Sequence, residues 1–187
     1  YADNPSIVAF QARLLERLKV LPGVTAAGLT DTIPFGPGVS DSVIFAEGYV
    51  PKPGESIISA YQTRVSPGYF EAIGIRLLRG RFFEERDTAA APRAIIIDDR
   101  MAKRFWPGAD AVGKRMWRPG SARLLPPTDQ AEYFTVVGIV NTVRMRSLTG
   151  EDERLGAAYY PMTQAPSRTL TLTARSAVDP AALTAAI

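Results

Sequence analysis

Residues 105–117 read FWPGADAVGKRMW, and inside them Gly108-x-x-x-x-Gly113-Lys114 stops one residue short of a phosphate-cradling loop. Such a loop follows a strand, turns its backbone N–H groups on the phosphates and opens at once into a helix. The first Ser or Thr of that helix takes the magnesium. This stretch breaks three of those conditions. The segment before Gly108 has helical periodicity and ends in Phe105-Trp106, Arg115 stands where Ser or Thr belongs, and RMWRPG after it reads as a strand. Residues 105–117 are therefore a helix stop at Pro107-Gly108, a turn and a strand entry.

Working outward, residues 94–98 (AIIID) form a short, nearly all-apolar run, the pattern of a strand buried on both faces. Asp99 is placed to cap the helix that runs to Phe105. Downstream, 113–118 and 133–143 read as strands, separated by the polar, Pro-rich segment 119–132. Upstream, Ser66-Pro67 opens a short helix carrying Tyr69, Phe70 and Ile73, which Gly74 ends, and 77–83 is extended. Residues 43–49 and 57–65 are strand candidates around the turn Pro51-Lys52-Pro53-Gly54, after a Pro/Gly-rich loop at 33–38.

The two ends resemble each other. Asn4-Pro5 is a cap followed by Pro in the first turn, and Ile7, Phe10, Leu14, Leu15, Leu18 and Leu21 recur at helical spacing until Pro22-Gly23. A strand at 24–30 follows. Near the end a strand at 169–175 leads into Asp179-Pro180, which caps a second helix over 181–187. Strand and helix alternation at both ends suggests two related β-α-β units flanking a middle region.

Composition limits the chemistry. The chain has 187 residues, no Cys and no His. That excludes thiolate nucleophiles, zinc–thiolate sites and most hydrolytic triads. An enzyme built here would rely on carboxylates, Lys or Tyr. A net charge of +3 with scattered basic residues provides no nucleic-acid footprint. The longest uncharged run, 155–167, is broken by Gly156, Pro161 and Pro166, whereas a span needs roughly 20 mostly apolar residues. Both ends of the chain read as cut from something longer.

Other candidate groups read as structural. Adjacent residues on an extended segment point to opposite faces, so Asp98 and Asp99 cannot easily converge on one ion. Glu84-Glu85-Arg86-Asp87 lacks the spaced ligands and Gly of a calcium loop and reads as a solvated turn. No Ser sits in a nucleophile elbow. The pairs Phe105-Trp106 and Tyr69-Phe70 suit core positions on short amphipathic elements. Tyr159-Tyr160 straddles a strand, with one ring expected inside and one outside.

Four blocks occur in one order: RVSPGYFEAIGIRLLRGRFFEERD from Arg64, AIIIDDRMAKRFWPGADAVGKRM from Ala94, FTVVGIVNTVR from Phe134 and YYPMTQ from Tyr159. Together they closely resemble the extracytoplasmic domain of MacB/FtsX-type ABC-transporter permeases. The resemblance implies an α+β fold. A membrane-proximal, porter-like β-α-β part would comprise residues 1–64 and 157–187, and a smaller mixed α/β subdomain would be inserted at 65–156. It implies a non-catalytic periplasmic domain between the first two transmembrane helices, without cofactor or metal. ATP would be hydrolysed in a separate cytoplasmic domain or subunit. The implied partners are the chain's own membrane helices, a second permease copy or half, the ABC ATPase and a periplasmic adaptor; nucleic acid is not among them. Tyr69, Phe70, Gly74, Phe105, Trp106, Pro107, Gly108, Gly113 and Lys114 carry over as fold-specifying residues. A partner-contact loop is expected at 119–132, with Arg123, Leu124 and Leu125, where relatives turn more tightly. Asn141-Thr142 also departs from the Asp that often precedes Val-Arg. Set against this reading are a free-standing extracytoplasmic ligand-binding or adaptor protein, and a carboxylate or Tyr hydrolase.

Overall fold

The computed structural model describes residues 3–51, 53, 55, 59–118, 132–146 and 155–179. Helix α1 (Asn4–Lys19) is capped one residue earlier than its sequence suggests, by Asp3, whose carboxylate accepts the Ser6 N–H at 2.8 Å. The helix buries Ile7, Gln11, Leu15 and Leu18 on one face. Gln11 is the member an apolar pattern misses; its amide donates to the Ser167 carbonyl at 3.0 Å, which gives a buried donor its partner. Leu15 packs with Leu29 of β1 (Val24–Thr30) and with Met162.

Strand β1 pairs antiparallel with β10 (Thr171–Ser176) and meets β4 (Ser59–Val65) at Thr30 and Val65. Helix α2 (Tyr69–Ile73) lies against β1 so closely that a Cβ on Gly28 would stand 2.3 Å from the Tyr69 Cα. Gly74 ends α2 with φ +80°, a conformation glycine adopts without steric cost. Both features agree with the helix read at 66–74.

The remaining strands are β2 (Ser40–Val43), β3 (Phe45–Ala46), β5 (Leu77–Gly80), β6 (Ala94–Asp98), β7 (Arg115–Trp117), β8 (Tyr133–Val140) and β9 (Ala157–Pro161). One hydrogen-bonded sheet runs β10-β1-β4-β9-β6-β8-β7-β3, with β2 added to β4 and β5 to β8. The pairs β4–β9 and β6–β8 are parallel and the others antiparallel. The fold is thus α+β with a mixed sheet. The single strand expected at 43–49 is two: β2 pairs with β4, and after the buried Ile44 the chain changes partner so that β3 pairs with β7.

Helix α3 (Asp99–Phe105) follows β6 directly, and its cap is Asp98 rather than the expected Asp99. Alternation along β6 divides the interior. Ile95 and Ile97 join Met101, Phe105, Trp106 and Met116 on one face, while Ile96 joins Phe70 and Tyr159 on the other. Both faces are covered, which corrects the expectation for Tyr159-Tyr160: the rings point to opposite sides and both are buried. The second terminal helix, over 181–187, lies outside the described residues.

Candidate functional site

The stretch at 105–117 is held from within. Phe105 meets the Tyr49 ring edge-on at 5.2 Å, and the Trp106 Nε1–H donates to the Glu47 carbonyl at 2.9 Å. Gly108 and Gly113 adopt φ +76° and +85° with open space where a side chain would project, so both serve backbone conformation alone. Four of the loop's N–H groups are occupied: Ala109 donates to Trp106, Val112 to the Asp110 carboxylate, Gly113 to Val136 and Lys114 to Ala111. Asp110, paired with Arg79, also places a negative charge in the loop. The four bonds hold the loop to itself and to β8 instead of leaving these N–H groups for a ligand.

Of the remaining motif residues, Tyr69 and Phe70 are both buried, and Phe70 stacks on Phe82 at 5.0 Å and meets Tyr159 edge-on at 5.0 Å. Burial pushes the Tyr69 hydroxyl up to about 12, so it stays protonated and is unsuited to base catalysis. Pro107 and Lys114 are exposed. Arg123, Leu124 and Leu125 lie outside the described residues, as does nearly all of the expected contact loop.

The two adjacent carboxylates diverge, as extended geometry requires. Asp98 is 0% exposed; its Oδ1 accepts the Met101 N–H at 2.9 Å and its Oδ2 the Ala157 N–H at 3.1 Å. Burial pushes its pKa up to about 6 against those two donors and the Thr142 side chain, and the charge of Asp99 adds to the rise. Asp99 faces elsewhere, accepting from the Thr142 N–H at 2.9 Å, the Thr142 hydroxyl at 2.7 Å and the Lys103 ammonium at 2.6 Å. No group of three or more carboxylates placed to hold a metal occurs among the described residues. Asn141 accepts the Arg76 N–H at 2.6 Å, which fastens the start of β5 to the end of β8.

The 84–87 segment is a turn, but its solvated reading needs correction. Asp87 is buried, gripped by both arms of the Arg81 guanidinium at 2.7 Å each, and it also accepts the Glu84 N–H at 2.8 Å. Burial alone would raise the Asp87 pKa; Arg81 and the Glu84 amide reverse this and hold it below the usual carboxylate range. Sequence periodicity carries no sign of this bidentate pair, because Arg81 reaches across an irregular turn.

Two surface features remain. A groove of about 330 Å³ lies along α1, floored by Ala12, Leu15, Pro67 and Met162. At 33–38, Phe35 adopts φ +61°, donates its N–H to the Met145 carbonyl at 2.8 Å and leaves its ring half exposed. No helix among the described residues is long and apolar enough to cross a membrane.

The described residues define a mixed-sheet α+β domain in which Arg81 and Asp87 pin a turn and Gly28 and Gly74 seat α2. Its fold recurs in solved structures. The periplasmic region of MacB from Actinobacillus actinomycetemcomitans superposes with a TM-score of 0.61 at 15% identity, over 94% of this chain and 70% of that one. The extracellular domain of the ABC-type transporter YknZ from Gram-positive bacteria gives 0.56 at 16% identity, over 94% and 77%. A domain of a putative permease from Porphyromonas gingivalis gives 0.53 at 19% identity, over 90% and 69%. No curated protein sequence matches the chain. Residues 6–187 match the MacB-like periplasmic core domain, and the chain belongs to that family. It is the extracytoplasmic domain of an ABC-type transporter permease.

Proposed function

We propose that this domain is a non-catalytic moving part that relays ATP-driven motion of the permease's membrane helices to substrate or partner handling outside the cytoplasmic membrane. The observation that carries the reading is the engagement of the signature residues in packing and backbone bonds, as Trp106 is with Glu47 and Gly113 with Val136. A relay needs elements that transmit displacement without yielding, and close-packed sheets and helices do so. In this reading residues 1–64 and 157–187 form the membrane-proximal part and 65–156 the inserted subdomain. The motif residues Tyr69, Phe70, Gly74 and 105–108, with Gly113 and Lys114, specify that insert. ATP is hydrolysed in a separate cytoplasmic domain or subunit. A second permease copy or half faces the domain, and the loops at 33–38 and 119–132 meet the substrate or a periplasmic adaptor.

The test uses the complete permease with its ATPase in lipid nanodiscs. Spin labels at Val50→Cys, on a side chain 82% exposed, report the distance between the two copies. The expected result is a change in that distance distribution between the ATP-bound and nucleotide-free states. An unchanged distribution, with ATP turnover intact, would count against the relay.

A further inference from the structure

The groove along α1 is assembled from segments far apart in the chain: the helix itself, Ser66-Pro67 ahead of α2, the stretch holding Glu85 and Thr88, and Met162-Thr163 after β9. Leu15 and Met162 are buried at its base, and Ala12 and Pro67 extend the apolar lining. Its volume of about 330 Å³ falls among small-molecule sites, which begin near about 300 Å³. One turn of a partner helix, a cylinder about 10 Å wide and about 5.4 Å long, would fill about 420 Å³. The groove is therefore sized for a small molecule.

Three groups on this lining are unspent acceptors. Gln11 is 4% exposed; its amide nitrogen donates to the Ser167 carbonyl at 3.0 Å, while its Oε1 accepts no hydrogen bond among the described residues. The hydroxyls of Tyr159 and Tyr160 are enclosed without partners, whereas the Gln11 oxygen is not enclosed, and the groove is the opening that Gln11 lines. Glu85 has no ion pair among the described residues, because the neighbouring guanidiniums are engaged elsewhere: Arg86 holds Glu84 at 2.8 Å and Arg81 holds Asp87 at 2.7 Å. Glu16 is likewise without an ion pair among the described residues. Lys19 is the one cationic residue of the described lining, and Arg13 and Arg17 of α1 lie outside it. Two carboxylates against one ammonium leave a negative rim around an apolar base.

We propose that this groove is a binding site for a small amphipathic amine. The apolar body lies on Leu15, Met162, Ala12 and Pro67, and the protonated nitrogen faces the carboxylates of Glu16 and Glu85. The Gln11 oxygen accepts a donor of the same ligand, an N–H or a hydroxyl.

The selectivity follows from what the lining lacks. A ligand bearing a carboxylate is disfavoured, because it brings further acceptors and a like charge to acceptors that have no donors. Glu16 and Glu85 are exposed to solvent, so each contributes about threefold to affinity, and that share is screened by salt. The site belongs to this chain alone and stands or falls separately from the relay.

The experiment titrates the 187-residue chain at neutral pH with protonated hexylamine, 1-hexanol and hexanoate, followed by proton–nitrogen NMR of the backbone amides. Saturable shifts are expected at Gln11, Ala12, Leu15, Met162 and Thr163, with hexylamine binding about tenfold tighter than hexanol and hexanoate weakest. Replacing both carboxylates, Glu16→Gln with Glu85→Gln, should bring the amine down to the affinity of hexanol. Ala12→Phe, at an exposed helix position, should fill the groove and abolish the shifts of all three probes. Hexanol or hexanoate binding as tightly as hexylamine, an amine preference that survives in the double variant, or the absence of saturable shifts at those residues each overturns the site. If either variant fails to fold, the ranking of the three probes on the wild-type chain decides the matter alone.

Discussion

Replacing Trp106 with Phe separates a structural motif from a ligand loop. The indole is 7% exposed, and its Nε1–H meets the Glu47 carbonyl at 2.9 Å. Phe keeps most of the ring burial but leaves that carbonyl without a partner, which costs about 1–3 kcal/mol. The smaller ring adds a void costing on the order of 1 kcal/mol. The sum, about 2–4 kcal/mol, corresponds in a domain of this size to a Tm lower by about 5–15 °C. Lys114→Met is the counterpart. Lys114 is exposed, so removing its charge should change stability by no more than about 0.5 kcal/mol. Thermal and urea unfolding followed by far-UV circular dichroism measures both variants, with and without magnesium and ATP. A Trp106→Phe Tm within about 1 °C of wild type, or a nucleotide-dependent rise in Tm that Lys114→Met removes, would refute the reasoning; the scale for that comparison is about 2–4 °C per kcal/mol.

Two further perturbations bear on the fold. Gly28→Ala drives a methyl group to within 2.3 Å of the Tyr69 backbone, which cannot yield as a flexible side chain would. Overpacking of this kind costs about 1–3 kcal/mol or more, so urea unfolding should show a lower midpoint with an unchanged slope. Asp87, held below the usual carboxylate range, contributes stability that is present above its unfolded pKa and lost as pH falls through its folded pKa. Asp87→Asn should therefore flatten the acid limb of a stability–pH profile, and an acid limb as steep as that of wild type would contradict the role given to Arg81.

Much of the architecture is legible along the chain because local signals and tertiary demands coincide. The run AIIID is a strand buried on both faces, Gly74 closes α2 and Pro5 sits in the first turn of α1, each for a reason visible in neighbouring residues. Where the reading slipped, a distant partner decided. The chain splits at Ile44 because β4 and β7 each claim a piece of it. Asp98 displaces Asp99 as cap because Ala157, 59 positions away, supplies its second bond. Tyr160 is inside because Phe134 and Arg118 cover its face, the first ring at 5.2 Å and the guanidinium carbon at 4.3 Å. The bidentate grip of Arg81 on Asp87 and the bond from Gln11 to Ser167 follow no period and become visible only once the chain is folded.

The central claim, that this chain is the external portion of a membrane-embedded permease, is tested most directly by labelling in intact cells. The chain has no Cys, so Val50→Cys introduces a single thiol into it, at a side chain 82% exposed. In the complete protein, a membrane-impermeant maleimide should modify that thiol in unbroken cells, beyond any labelling of the parent, and the label should fractionate with the cytoplasmic membrane. Labelling that appears only after the cells are lysed, or a labelled protein released with the soluble fraction, would contradict the account.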